Sequence, residues 1–181
     1  MGWSTEVTET PNLALIRLFN LGLGRQFNTR LIDLGSDPLY LPADEHCPWH
    51  RIYFAHGFFA SALHELAHWT LAGAARRQRV DYGYWYHPDG RSEAQQAAFE
   101  RVEVKPQAIE WAFHLAAGRR FNVSVDNLGG AQVDRATFQR QVQAQTRRYL
   151  KQGFPPRAQA LIEDLHRYYA TPALSPEQFE C

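Results

Sequence analysis

Residues 58–77 read FFASALHELAHWTLAGAARR, and the reading of this stretch decides the fold. Alanine and leucine dominate it and proline is absent, which predicts a helix from about Phe58 to Arg77. Its centre is apolar nearly all round, so the helix belongs in the interior. Inside it sit two histidines and a glutamate, in the run HELAHW from His64 to Trp69. His64 and His68 are four residues apart and therefore lie on one face, one turn from each other, where two imidazoles can bind one metal ion. His64-Glu65-x-x-His68 is the HExxH pattern of zinc metallopeptidases, in which the glutamate is the general base toward water. Chance alone gives that pattern to roughly one chain in a few hundred of this length. The competing reading is that both rings are satisfied at a helix–helix contact, with Glu65 turned to solvent. Metal binding explains more, because polar groups in an apolar helix centre incur a burial cost unless paired, and one cation satisfies both rings.

Upstream, NLALIRLFNLGL after Pro11 places Leu13, Ile16 and Phe19 at helical spacing, with Gly22 and Gly24 as stop signals. DLGSDPLYLPADEHCPW, residues 33–49, carries three prolines and reads as an ordered, extended connection into a short strand, RIYFA at 51–55. Downstream, VDYGYWYHPDGR alternates aromatics from Tyr82 to Tyr86 and then turns at Pro88-Asp89-Gly90, a strand entering a loop. A helical region from about Ser92 to Ala117 contains Pro106, which must kink it or open a new segment. FNVSVDNLGG reads as strand and turn, and two more helices follow at about 134–151 and 157–170. The expectation is an α+β fold: a mostly helical single domain over residues 1–181, with a small sheet and the HExxH-bearing helix buried at its centre.

A mononuclear site needs a third protein ligand, and the helix at 92–117 offers Glu93, Glu100, Glu103, Glu110 and His114. Glu103 is flanked by Val102 and Val104, which suggests burial, whereas Glu100 beside Arg101 reads as a solvated charge. Glu103 is therefore the chosen ligand and Glu100 the reserve. Gln107, one turn on, can hydrogen-bond Glu103. Two histidines and one carboxylate leave coordination positions open, a set that serves a hydrolase with Zn²⁺ or an oxygenase with Fe²⁺; spacing does not choose between them.

Composition removes other classes. Lysine plus arginine equal aspartate plus glutamate at 19 each, so the overall field gives no case for nucleic acid. No apolar run reaches the ~18 residues of a membrane span, and the N-terminus lacks a basic region followed by an apolar one. Two cysteines, Cys47 and Cys181, outside any CxxC pair, fit a reducing cytoplasm. Arg135, Arg140, Arg147, Arg148 and Lys151 form a basic stripe of the kind that is usually a solvated face.

Taken together, RIYFAHGFFASALHELAHW, RRQRVDYGYWYHPDGR, FERVEVKPQAIEW, FNVSVDNL and the TPALSPEQF tail resemble the elongation factor P hydroxylase family over nearly the full chain. The resemblance implies an oxygen-dependent enzyme that hydroxylates the modified lysine of translation elongation factor P after β-lysine has been attached to it. It also implies a metal held by two histidines and one glutamate, here His64, His68 and Glu103. The resemblance also implies a fold other than the jelly roll of the oxygenases that use 2-oxoglutarate, so 2-oxoglutarate is not assigned.

On this reading Fe²⁺ is the cofactor, with Zn²⁺ or another divalent ion able to replace it, and Glu65 orients water or contacts the cationic substrate. Asp81, Tyr82, Tyr86 and Asp89 offer the acids and aromatic faces that hold ammonium groups. The alternative function is a zincin-type hydrolase with Glu65 as general base.

Overall fold

The computed structural model describes residues 9–35, 37–81, 90–125, 127, 130, 132 and 134–180. Six helices and a three-stranded sheet occur among them. Helix α1 (Pro11–Leu21) starts at Thr10, whose hydroxyl accepts from the Leu13 amide, with Pro11 in the first turn where its missing N–H costs nothing. A single turn, α2 (Leu23–Gln26), leads into strand β1 (Thr29–Asp33). Strand β2 (Leu39–Leu41) and strand β3 (His50–Phe54) complete the sheet in the order β1-β3-β2. β3 runs parallel to β1, Leu31 opposite Ile52, and antiparallel to β2, Tyr40 opposite Ile52. The segment expected as an extended connection thus carries β2. β1 has no counterpart in the expectations, since Thr29 and Leu31 are its only buried positions, too short an alternation to register.

Helix α3 (Phe59–Leu71) is the HExxH helix. Phe59, Ala62, Leu63, Leu66, Ala67, Trp69 and Thr70 are buried, while His64, Glu65 and His68 form a partly accessible strip. The helix is therefore not buried all round; its polar strip opens on a cavity. It ends at Leu71 rather than near Arg77, because Ala72 adopts extended backbone and Gly73 follows. Arg157 replaces the missing turn. Its guanidinium donates to the carbonyls of Trp69 (2.9 Å), Thr70 (3.0 Å) and Ala72, a cation at the negative end of the helix.

Helix α4 (Glu93–Ala116) opens with a capping box in which Ser92 and Gln95 exchange side-chain and backbone bonds. It continues through Pro106, neither ending nor restarting there. Proline inside a helix costs about 3 kcal/mol, and tertiary packing offsets it: every residue from Pro106 to His114 is buried. Helix α5 (Arg135–Gln152), capped by Asp134, packs on α4, and α6 (Pro156–Tyr169) packs on α3 and α4. One apolar cluster joins these elements, with Phe19, Phe54, Leu63, Leu66, Phe113, Phe138 and Leu165 fully enclosed.

Residues 121–125 of FNVSVDNLGG form no strand. A strand needs a partner for its backbone, and here a side chain serves instead: Gln107 accepts from the Ser124 amide (2.9 Å) and donates to its carbonyl (2.7 Å). Val123 and Val125 bury on either side. Most of the turn expected after them, and the strand expected at Tyr82–Tyr86, lie outside the described residues.

Candidate metal centre

The side chains that α3 and α4 bring face to face are polar in an apolar surround. His64, His68 and Glu103 each offer a ligand atom, and these atoms lie within 4.8 Å of one another. His64 Nε2 and His68 Nε2 are 3.1 Å apart, and Glu103 Oε1 is 3.2 Å from His68 Nε2. Two donor atoms each about 2.1 Å from one ion sit roughly 3.0–3.4 Å from each other, so these two separations suit a shared cation, while the third, His64 Nε2 to Glu103 Oε2 at 3.8 Å, is somewhat longer.

Hydrogen bonding supports the same fit. His64 Nδ1 lies 2.8 Å from Glu110 Oε2, so its N–H points at that carboxylate and neutral His64 turns a lone pair toward His68. Two ring nitrogens 3.1 Å apart cannot both present lone pairs to each other without a proton or a cation between them. Glu103 is 1 % exposed. Its Oε1 faces His68 Nε2 at 3.2 Å, a charge contact, and accepts no hydrogen bond. A buried carboxylate oxygen without a donor is costly, and a divalent ion removes that cost. The donor set of two nitrogens and one oxygen suits Zn²⁺ or Fe²⁺.

The electrostatics follow from this crowding. Burial opposes the charge on His64, but the carboxylates of Glu110 and Glu103 outweigh it and push the imidazole up to about 10. Burial likewise works against the charge on Glu103, yet the facing His68 and His64 rings hold its carboxyl at about 2. Glu110 lies below the ordinary carboxylate range, with burial opposed mainly by the His64 charge. Glu65 is shifted the other way by its burial, the nearby histidines compensating only in part.

Glu65 and His68 line a cavity of about 310 Å³ together with Tyr40, Trp69, Arg77, Asp81 and Lys105. His64 lies deep in the molecule yet keeps 26 % of its side chain accessible. Asp81 reaches the cavity because its backbone pairs with Tyr40 of β2, by bonds of 2.7 and 3.0 Å. Its carboxylate is engaged by Arg76 at 2.7 Å. Tyr82, Tyr86 and Asp89 lie outside the described residues. Gln107, fully buried, donates to Glu103 Oε2 at 3.2 Å. Glu100 stays apart from the cluster, bonded to Gln96 at 3.0 Å.

Sequence reasoning gave no role to the continuation beyond Glu110. His114 Nε2 lies 3.5 Å from Glu110 Oε1, and neither ring nitrogen of this buried histidine has a hydrogen bond. Glu103, Gln107, Glu110 and His114 recur every three or four residues, one face of α4 lined with polar groups. That periodicity beside the buried Trp111 and Phe113 was the available signal.

Residues 18–179 match the family described as elongation factor P hydroxylase. The chain is also similar to the elongation factor P lysine hydroxylase of Haemophilus influenzae, with 49 % identity over 157 residues, covering 87 % of this chain and 88 % of that protein. Neither match is to a metallopeptidase, so the hydrolase reading of HExxH is not favoured, and this chain belongs to the elongation factor P hydroxylase family.

Proposed function

We propose that this chain hydroxylates the β-lysylated lysine of elongation factor P, in the cytoplasm, as a single-domain enzyme with His64, His68 and Glu103 as ligands of one Fe²⁺. The observation that carries the reading is the convergence of these three groups beside a cavity, in a chain of this family. Inserting oxygen into an unactivated C–H bond lies outside side-chain acid–base chemistry, and a redox-active metal supplies it when bound.

The residues around the metal position and select. Glu110 orients His64 through Nδ1, and Gln107 orients Glu103. The wall of Tyr40, Ile52, Trp69 and Leu71 excludes water from one side of the cavity. Glu65 and Asp81 supply acidic groups for an ammonium side chain; Tyr82, Tyr86 and Asp89, which lie outside the described residues, are proposed for the same role on their residue types. No helix among the described residues is long and apolar enough to cross a membrane, in keeping with a protein substrate in solution.

The test is the intact mass of β-lysylated elongation factor P before and after incubation with this protein, Fe²⁺, a reductant and O₂. The expected result is the gain of one oxygen atom. An unchanged mass with metal-loaded, folded protein sinks the assignment.

A further inference from the structure

The cavity carries a charge pattern that its proposed occupant alone does not explain. A lysine-derived side chain is cationic, and Glu65 and Asp81 can meet it. Yet Arg76, Arg77 and Lys105 line the same cavity. Arg76 pairs with Asp81, and Arg77 donates to the Ala72 carbonyl at 2.7 Å. Lys105 is exposed and, like exposed Arg79 and Arg101, has no acidic partner among the described residues. Arg101 lies one turn before Lys105 on α4 and shares its face. Arg79 follows Arg77 by two residues, just past the short 3₁₀ turn Arg76–Gln78. Of the cavity lining, Gly73, Arg76, Val102 and Lys105 are the exposed members and so form its mouth. The cavity thus has acids within, Lys105 and the Asp81-paired Arg76 at its exposed edge, and Arg79 and Arg101 close to lining residues along the chain, although the chain as a whole is neutral.

Two large apolar side chains are interleaved with these cations, Val80 at 47 % and Val102 at 42 % exposure. Apolar contacts between charges are the composition of a protein-binding patch rather than of a merely solvated face. No residue of the basic stripe of α5 lines the cavity or neighbours a lining residue along the chain.

We infer that the mouth, where Lys105 and Val102 line the opening and Arg79, Val80 and Arg101 lie within two residues of lining positions along the chain, docks an acidic protein surface from which the target lysine projects. An isolated lysine side chain approaching this mouth meets cations first. A lysine set among carboxylates presents the complementary pattern, acids to the ring of cations and its ammonium to Glu65 and Asp81, so steering and selectivity come from the surroundings of the lysine. This inference rests on the proposed substrate, and binding is measured directly so that the two can fail separately.

Labelled β-lysylated elongation factor P is titrated with the metal-loaded chain at low and at high salt, by fluorescence anisotropy, alongside KM and kcat for its hydroxylation. Screening shortens the range of exposed charges, so affinity for the wild type should fall about tenfold as salt rises. The variant Arg79→Glu/Arg101→Glu/Lys105→Glu should weaken binding at least about tenfold at low salt and lose the salt dependence. KM should rise with it while kcat changes less than about twofold, and circular dichroism and metal content should stay as in the wild type. Salt-insensitive binding by the wild type, a folded variant that binds normally, or displacement of the factor by a single-stranded RNA oligonucleotide overturns the docking surface. Salt-dependent, variant-sensitive binding without any hydroxylation leaves the surface standing and overturns the proposed reaction.

Discussion

Helices α3 and α4 contribute to one cluster by opposite means. α3 is 13 residues long, and its two histidines are one turn apart, so their mutual placement is fixed as soon as the helix forms. α4 is 24 residues long and carries Glu103, the proposed third ligand, plus Glu110 and Gln107, which hydrogen-bond His64 and Glu103. Its register against α3 depends on the packing of both helices with α6, of α3 with β3 and of α4 with α5. A covalently local pair survives small shifts of the fold. A cross-helix partner does not, and the largest expected effects test that difference.

His64→Ala, His68→Ala and Glu103→Ala should each reduce bound metal to background and abolish hydroxylation, with helical circular dichroism retained, since two protein ligands hold a divalent ion poorly. Metal analysis after anaerobic purification reads this out. Full metal occupancy in Glu103→Ala would break the comparison, making the site a property of α3 alone.

Glu110→Gln tests the same helix one layer further out. The substitution keeps an acceptor for His64 Nδ1–H but removes the charge, and loss of such a partner weakens metal affinity by about 10–100-fold. His114→Phe, acting only through Glu110, should do less. The pH dependence has a definite sign. In the metal-free protein His64 is raised to about 10, so at neutral pH it carries a proton that metal binding must expel. Affinity should therefore rise with pH. The stabilisation that protonated His64 gives the metal-free protein is complete below its unfolded value near 6.5 and is lost as pH rises through the folded value of about 10. Titrations in buffers of different ionisation enthalpy count the proton released.

What was legible in the sequence divides along the same line. The HExxH pair is a local pattern, and its helix could be read from residue types alone. Glu103 was chosen on its flanking valines, yet Val102 is 42 % exposed while Glu103 is 1 % exposed. Adjacent helix positions point about 100° apart, so neighbours carry little information on burial. The stronger signal was the repeat at 103, 107, 110 and 114. β1 and β2 were too short to show a period, and 121–125, with the residue types of a strand, found a glutamine instead of a neighbouring strand.

Glu65→Gln sharpens the contrast within α3. In a hydrolase this carboxylate must take a proton from water, and its loss costs about 10²–10⁴-fold. On the proposed hydroxylase reading it would orient water or contact the substrate, so turnover should fall by about tenfold with metal still bound, and the wild type should show no peptide cleavage. Specific cleavage that vanishes in Glu65→Gln would reverse the choice between the two chemistries.

The smallest effect is expected at Gln107, which belongs to both the site and the fold. Its amide donates to Glu103 Oε2 at 3.2 Å and meets both backbone groups of Ser124, at 2.7 and 2.9 Å. Truncation to Ala removes a long, weak bond from a carboxylate already held low by two imidazoles, so metal affinity should change less than in Glu110→Gln. The larger loss falls on residues 121–125, whose Ser124 N–H and C=O are left without this partner beside buried Val123 and Val125. Ser124 is itself exposed, so water replaces part of what is lost and each bond is worth about 0.5–1.5 kcal/mol, which should appear as lowered stability in denaturant and faster amide exchange at Ser124. Gln107→Glu separates the two roles. It can still accept from the Ser124 amide, so stability should be partly rescued, while a second carboxylate beside Glu103 should alter metal affinity. A Gln107→Ala protein with unchanged stability but lost metal would place this residue with Glu110, among the groups that hold the ligands, rather than at the seam between the site and the chain that packs behind it.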